Sequence, residues 1–95
     1  MDKKKKTPGA RSWFVHGRVQ GVGFRWFVVH RAREIGVTGW VRNEDDGGVQ
    51  VYAVGTLDQL DRLAGYLHAG PLLSEVRSVD QAEAILQAHR SFEIR

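Results

Sequence analysis

The chain lacks cysteine altogether and contains only two prolines among its 95 residues. Without cysteine there is no disulfide bond, no thiolate metal ligand and no cysteine nucleophile. There is also no run of about 18 apolar residues, which a membrane-spanning helix would require. The basic N-terminus has no apolar segment behind it and therefore does not fit a secretory signal. We expect a single domain, since a chain of this length forms one core. We also expect a cytoplasmic location.

Lysine is absent outside the N-terminus, where Lys3 to Lys6 form a single run. Residues 1–10 are predicted to be a disordered basic tail, and residues 11–95 to be one folded domain. The domain contains ten arginines and ten acidic residues, but residues 11–43 contain six arginines and only one acid. This local excess of arginine favours a small anionic ligand, whereas a nucleic-acid-binding domain usually spreads basic residues over a whole face.

Hydrophobic periodicity changes several times along the domain, and each change predicts a new element. Glycine ends each predicted helix, and Thr56 with Gln59 has the spacing of a capping box. The predicted elements are a strand over about 12–19, a helix from Phe24 to Gly36, strands over 37–43 and 49–55, a helix from Leu57 that ends before Gly70, and strands over 75–84 and 91–95. The end of the strand over 75–84 fits a helix equally well.

This order of elements predicts an α+β fold. Two right-handed β-α-β crossovers interleave in one sheet, with both helices on one face. The result is the ferredoxin-like βαββαβ sandwich, with a mixed sheet of predicted order 4-1-3-2 and a short fifth strand at an edge. Strands 1 and 2 then run parallel with strand 3 between them, so the segments that follow these two strands lie at the same end of the sheet.

The segment GRVQGVGFR, residues 17–25, places three glycines between the first strand and the first helix. Glycines in a loop often serve only to turn the chain. This loop leads directly into a helix start, where backbone N–H groups lack partners and the dipole favours an anion. The amides from Gln20 to Arg25 are therefore a candidate phosphate cradle, and the guanidinium of Arg25 matches the geometry of phosphate oxygens. The Walker pattern is absent, because no lysine follows the glycines.

A second segment, GWVRN, ends the second strand at the edge where the loop is expected. Asparagine frequently opens a turn, and that role alone would explain Asn43 before the hairpin sequence EDDGG. The alternative is that its amide holds a water molecule or a substrate oxygen that faces the cradle. Arg42 is expected to be a solvated residue, since neighbouring side chains on a strand point to opposite faces.

GRVQGVGFR, followed by GWVRN and DGGVQVYAVG, resembles the acylphosphatases over about residues 11–80. That family is ferredoxin-like, in agreement with the element order. The resemblance implies hydrolysis of an acyl phosphate to a carboxylate and inorganic phosphate. It also implies that Arg25 binds the phosphate and that Asn43 orients the attacking water. The family's phosphate cradle matches Gln20, Gly21, Val22, Gly23 and Phe24.

The expected reaction is a metal-free hydrolysis of a small acyl phosphate. Such a substrate has a good leaving group, so it needs chiefly positioning and stabilisation of charge on the phosphoryl group. We expect neither a metal nor a cofactor. Because no general base stands out, the proton of the water is expected to pass to the substrate's own phosphate. The chain is expected to act as a monomer, with no membrane and no specific nucleic-acid partner.

Two other functions remain open on the sequence. RNA-recognition domains share the element order, and QGVGFRWF partly matches their RNP1 signature. That signature belongs on the third strand, where aromatic rings stack on bases, and here the third strand offers only Tyr52. The other alternative is a phosphate-binding module without catalytic activity, since acylphosphatase-like domains also occur in larger maturation enzymes. The presence of both Arg25 and Asn43 favours the enzyme.

The remaining chemistry-bearing residues have simpler interpretations. His16 is the histidine nearest the loop, and we expect it to be a structural strand residue. The acidic run over 44–46 could suggest a metal site, but three acids in a hairpin turn are usually solvated. Trp13, Trp26 and Trp40 are expected to pack rather than to bind a ligand, although Trp26 follows Arg25 closely enough to touch an acyl group.

Overall fold

The computed structural model describes residues 7–95, so that residues 1–6 of the tail predicted over 1–10 lie outside it, whereas Gly9 and Ala10 belong to the first strand. Residues 7–95 form five strands and two helices in the predicted order. β1 begins at Gly9, ahead of the predicted start, because Gly9 pairs with Gly55 across the sheet. The elements are β1 (Gly9–Arg18), α1 (Phe24–Ile35), β2 (Thr38–Asn43), β3 (Val49–Gly55), α2 (Leu57–Ala69), β4 (Glu75–Glu83) and β5 (Phe92–Ile94).

The strands form one sheet in the order β4-β1-β3-β2-β5. β1 is antiparallel to β3 and β4, β2 is antiparallel to β3, and β5 lies parallel to β2 at the edge. The predicted ferredoxin-like α+β fold, its strand order and its short fifth edge strand are confirmed. Because β1 and β2 are both antiparallel to β3, they run in the same direction, and their last residues lie at the same end of the sheet.

Both helices cover one face of the sheet, and the core lies between the two layers. Side chains alternate along the strands, so that Trp13, Val15, Val51 and Ala53 face the helices and are fully buried. Burying one large apolar side chain stabilises the fold by about 1.5–3 kcal/mol. The helices contribute Phe24, Val28, Val29, Ala32 and Ile35 from α1, and Leu60, Leu63 and Leu67 from α2.

The helix boundaries follow from local chemistry. Gly36 has φ 99° and its amide donates to the carbonyl of Ala32, which ends α1 in the left-handed conformation that glycine adopts readily. The capping box predicted for α2 is confirmed, since Gln59 N donates to Thr56 Oγ1 at 3.2 Å and Thr56 N donates to Gln59 Oε1 at 2.9 Å. In residues 7–95 neither helix is long and apolar enough to cross a bilayer.

The opposite face of the sheet is partly covered by the irregular segment over 84–91, which joins β4 to β5. Tyr52 points to this face, and its ring stacks on Trp40 at a centroid distance of 5.8 Å and contacts His89 at 5.5 Å. Its hydroxyl donates to the carbonyl of Ile85 at 2.6 Å and accepts from the amide of Gln87 at 2.8 Å. Tyr52, the aromatic residue of β3, is therefore only 6% exposed, and its ring is not available for a nucleic-acid base to stack on.

Candidate functional site

The glycine-rich loop leaves the sheet through an irregularity in β1. The pairing of β1 with β4 shifts register between His16 and Gly17. Gly17 has φ 132°, and a Cβ at this position would overlap the carbonyl oxygen of Glu75 and lie 2.8 Å from Arg77 N. Glycine at residue 17 is thus required both by the backbone angle and by the neighbouring strand.

The next two glycines of the loop are required by their backbone angles alone. Gly21 has φ 74° and Gly23 has φ 80°, and no atom lies within 4 Å of a Cβ built on either one. Both are exposed, and Gly23 is the N-cap residue of α1 in the left-handed conformation. Left-handed residues at a loop that enters a helix turn successive amides toward a common concavity, which is an anion-binding arrangement.

The amides of this loop have no protein acceptor among residues 7–95. Neither the backbone N–H groups of Gln20, Gly21 and Val22 nor those of the next three residues donate a hydrogen bond there. The first N–H of α1 to find a partner along the chain is that of Phe27, which donates to the carbonyl of Gly23 at 3.0 Å. Residues 7–95 supply α1 with no side-chain cap and no acid in its first turn. The helix start therefore carries unneutralised positive potential.

Apolar side chains anchor the loop from beneath. Val19 and Phe24 are 1% and 2% exposed, and Val22 packs against the core. The side chains of Val22 and Phe24 are thus committed to packing, and these residues are available to a ligand through their backbone. Anchoring of this kind holds the amides in place before a ligand arrives.

Arg25 stands on the first turn of α1 with a half-buried side chain. Its guanidinium forms no hydrogen bond, ion pair or ring contact with any residue in 7–95. The helix dipole disfavours a cation at this end of a helix, and no described carboxylate compensates it. An unpaired guanidinium beside free amides is an arrangement that an anion with several oxygens would satisfy.

Asn43 is the last residue of β2 and lies at the same end of the sheet as the loop. It pairs with Val49, which in turn pairs with Val15 of β1, so that Asn43 lies two strands away from the end of β1. Val41 is buried on the helix side, and alternation places Asn43 on the same side, toward the start of α1. Its exposed side chain makes no hydrogen bond to residues 7–95.

Arg42 points away from this site, as predicted. Its guanidinium lies over the ring of Trp40 at 5.1 Å and donates to Glu44 Oε2 at 2.8 Å and to Gln50 Oε1 at 3.1 Å. Exposed pairs of this type contribute about 0–1 kcal/mol to stability. Arg42 is therefore a surface residue of the far face.

Gln20 has a role that the sequence did not reveal. Its side-chain Nε2 donates to the carbonyl of Glu44 at 2.8 Å and to the carbonyl of Gly48 at 2.9 Å. The side chain thus joins the loop after β1 to the hairpin turn that follows Asn43. No local pattern indicates this contact, because Gln20 and Gly48 are 28 residues apart.

The other residues singled out on the sequence lie outside this arrangement. His16 Nε2 is 3.4 Å from Asp80 Oδ2 on the far face of the sheet. Asp45 and Asp46 are exposed, and Asp46 Oδ1 accepts a hydrogen bond from Gly48 N. Within the described range, 7–95, no three histidine, cysteine, aspartate or glutamate side chains cluster closely enough to hold a metal ion.

The three tryptophans have different environments. Trp13 is fully buried, and its Nε1 donates to Gln81 Oε1 at 2.8 Å. Trp40 stacks on Tyr52. Trp26 is 61% exposed, so the expectation that it packs is wrong. The positions of α1 that face the core are taken by Phe24 and Val28, and the helical period turns Trp26 outward.

The chain is similar to known proteins over nearly its whole length. The family model described as Acylphosphatase matches residues 11–94, beyond the range of the resemblance in the sequence motifs. A curated acylphosphatase from Solibacter usitatus is 49% identical over 96 aligned positions, which cover 100% of both chains. An acylphosphatase structure from Coxiella burnetii aligns over 100% of both chains with a TM-score of 0.91 and 35% identity. The crystal structure of acylphosphatase from Bacillus subtilis aligns with a TM-score of 0.89 and 36% identity, over 94% of this chain and 99% of that chain.

Proposed function

Because the chain belongs to the acylphosphatase family, we propose that its loop over 20–25 binds the phosphate of the substrate and that Asn43 orients the attacking water. The family function is the hydrolysis of acyl phosphates, and this chain is an enzyme of that type. Its substrate is a small acyl phosphate, and its products are a carboxylate and inorganic phosphate. The proposal concerns which residues carry out this reaction.

The observation that carries the proposal is the run of unpartnered amides beside an unpaired guanidinium. The N–H groups of Gln20 through Arg25 and the side chain of Arg25 are donors without acceptors in residues 7–95. Hydrogen bonds to a charged acceptor contribute about 1.5–3 kcal/mol each. Several such bonds from a preorganised backbone are sufficient to bind a phosphate group and to stabilise charge that develops during its transfer.

The proposed mechanism is an in-line displacement at phosphorus. The Asn43 amide holds a water molecule opposite the bond to the leaving group. The water oxygen forms a new bond to phosphorus while the bond from phosphorus to the carboxyl oxygen breaks, and the carboxylate leaves with the bonding electron pair. One proton of the water passes to an oxygen of the phosphate, which completes inorganic phosphate. Arg25 and the amides balance the negative charge throughout, so the step is written without a metal ion.

Hydrolysis of benzoyl phosphate in the presence of a chelator tests this assignment. We expect rapid turnover by the wild type and near-background rates for Arg25→Ala and Asn43→Ala, with circular dichroism spectra that stay native. Arg62→Ala is the matched control, because Arg62 is an exposed arginine of α2 with no ion pair among residues 7–95. Full activity of either site variant contradicts its role. A metal requirement that survives chelator controls contradicts the metal-free version.

The same measurement addresses the alternative of a module that binds phosphate without hydrolysing it. A folded wild type that binds inorganic phosphate but shows no turnover with several acyl phosphates would favour that module. The curated relatives favour the enzyme, because the Solibacter usitatus protein, at 49% identity, is named an acylphosphatase.

We further propose that the protein acts as a cytoplasmic monomer without a specific nucleic-acid partner. Charged residues on the exposed edge strand β4, among them Glu75, Arg77 and Asp80, oppose edge-to-edge pairing. The 6% exposure of Tyr52 removes the stacking surface that an RNA-recognition strand needs. The absence of cysteine fits a reducing compartment. Sedimentation analysis, titration with single-stranded RNA and cell fractionation test the three statements.

A further inference from the structure

We propose that the side chain of Gln20 is a positioning residue, which sets the distance between the phosphate-binding loop and Asn43. This inference rests on the proposed function, because it concerns how the two parts of that site are held together. It differs from the role assigned to Gln20 above, which involves only the backbone amide. The side chain instead contacts the hairpin turn over 44–48.

The geometry of the contact is specific. One Nε2 atom donates to two carbonyl oxygens, those of Glu44 at 2.8 Å and Gly48 at 2.9 Å. These carbonyls are also the acceptors that close the turn, since Gly48 O accepts from Glu44 N at 2.8 Å and Glu44 O accepts from Gly47 N at 3.1 Å. Gln20 therefore bonds to the two residues that close the turn at its base. A displacement of the Gln20 side chain would move both ends of the turn.

This contact is the direct hydrogen-bonded link between the loop and the turn that follows Asn43. Asn43 directly precedes Glu44, and Gln20 begins the run of free amides that ends at Arg25. In residues 7–95 no other hydrogen bond joins the loop over 19–23 to the turn over 44–48. Arg42 also bonds to Glu44, but it contacts the side chain from the far face and not the backbone.

Precise spacing matters because the water on Asn43 must approach the phosphorus in line with the departing carboxylate. A displacement of about 1 Å can cost about 100-fold in rate, even when both reacting groups remain bound. Phosphate binding depends on the loop and Arg25 alone, so it should survive loss of the link. The inference therefore separates turnover from affinity.

Gln20→Met tests the inference, since methionine has a similar length and no N–H donor and leaves the backbone amide in place. A glutamate would add negative charge beside the anion site and confuse the result. We expect kcat for benzoyl phosphate to fall about 10- to 100-fold, as for a misplaced reacting group. The inhibition constant of inorganic phosphate should stay close to that of the wild type.

Gln59→Met is the matched control for lost stability. Gln59 Nε2 also donates to a backbone carbonyl, that of Ile35 at 3.1 Å, but at the far end of α1. This variant loses a comparable side-chain contact and a helix cap. We expect it to unfold at lower denaturant concentration while its kcat at 25 °C remains that of the wild type.

A double-mutant cycle with Asn43→Ala provides the decisive readout, run at enzyme concentrations high enough to resolve the residual activity of Asn43→Ala above the uncatalysed rate. If Gln20 acts through Asn43, Gln20→Met should cost little further activity once Asn43 is replaced, so the two losses are strongly non-additive. Equal losses in both backgrounds would overturn the inference, as would a rise in the phosphate inhibition constant that matches the fall in kcat. A wild type without turnover, or an Asn43→Ala variant with full activity, contradicts the proposed function as well. If the wild type hydrolyses benzoyl phosphate normally and Gln20→Met has the same kcat, only this inference is contradicted.

Discussion

The hydroxyl group of Tyr52 donates a hydrogen bond of 2.6 Å to the carbonyl oxygen of Ile85. The Tyr52 hydroxyl oxygen also accepts a hydrogen bond of 2.8 Å from the amide of Gln87, so one side chain of β3 bonds twice to the segment that connects the two edge strands. Hydrogen bonds to irregular backbone replace those that a strand would have received from its neighbour. The segment thus crosses the far face of the sheet in a defined position.

Tyr52→Phe is expected to reduce the free energy of unfolding by about 1–2 kcal/mol, because it removes a buried partner of two backbone groups. Urea denaturation measures the change. Tyr66→Phe is the control, since the Tyr66 hydroxyl has no hydrogen-bond partner in residues 7–95 and its ring contact with Phe27 is retained. Equal effects of the two substitutions would show that the Tyr52 hydroxyl does not hold the segment.

Gly17→Ala is expected to destabilise the protein by at least about 2 kcal/mol, because it combines a strained positive φ with overlap against the neighbouring strand. The backbone atoms of Glu75 and Arg77 leave no room for the methyl group. Gly9→Ala is the matched control on the same strand, with no atom within 4 Å and no positive φ. Its effect should stay within about 0.5 kcal/mol. A tolerated alanine at residue 17 would contradict the crowding described for β1.

Inorganic phosphate is expected to protect the wild type and Asn43→Ala against thermal unfolding, but not Arg25→Ala. At 100 times its dissociation constant a ligand stabilises the folded state by about 2.7 kcal/mol. The variants differ because Arg25 belongs to the proposed anion site, whereas Asn43 is proposed to hold only the water. Melting temperatures measured against phosphate concentration, with sodium chloride at matched ionic strength, provide the test. Protection of Arg25→Ala to the same extent would place the phosphate elsewhere.

Arg25→Lys is expected to lower kcat/KM about 100-fold, although the positive charge is kept. Lysine supplies a compact ammonium on a flexible stem and lacks the planar fork that matches two phosphate oxygens, and loss of one preorganised donor typically costs about 100- to 1,000-fold. Arg62→Lys on the exposed face of α2 controls for the substitution itself. Steady-state hydrolysis of benzoyl phosphate measures both. Wild-type activity of Arg25→Lys would mean that charge alone suffices.

Much of the fold was predictable because it depends on local chemistry. The glycine that ends α1, the capping box of Thr56 and the alternation along β3 each act within a few residues. The start of β1 was not predictable, since Gly9 is extended through its pairing with Gly55, a contact between distant parts of the chain. The course of the segment over 84–91 was not predictable either, since it depends on the hydrogen bonds with the hydroxyl group of Tyr52.

The candidate site divides in the same way. By itself the sequence determined the glycine loop that is the candidate cradle, the place of Arg25 on the first turn of α1 and the end of the sheet at which Asn43 lies, because glycine spacing, a helix start and strand direction are local or topological properties. Only the tertiary structure decided that Trp26 faces solvent and that the Gln20 side chain bonds to the turn after Asn43. The physical reason is that a side chain selects its partner from whatever the fold brings near it, and residues 20 and 48 meet only once β1, β3 and β2 have paired.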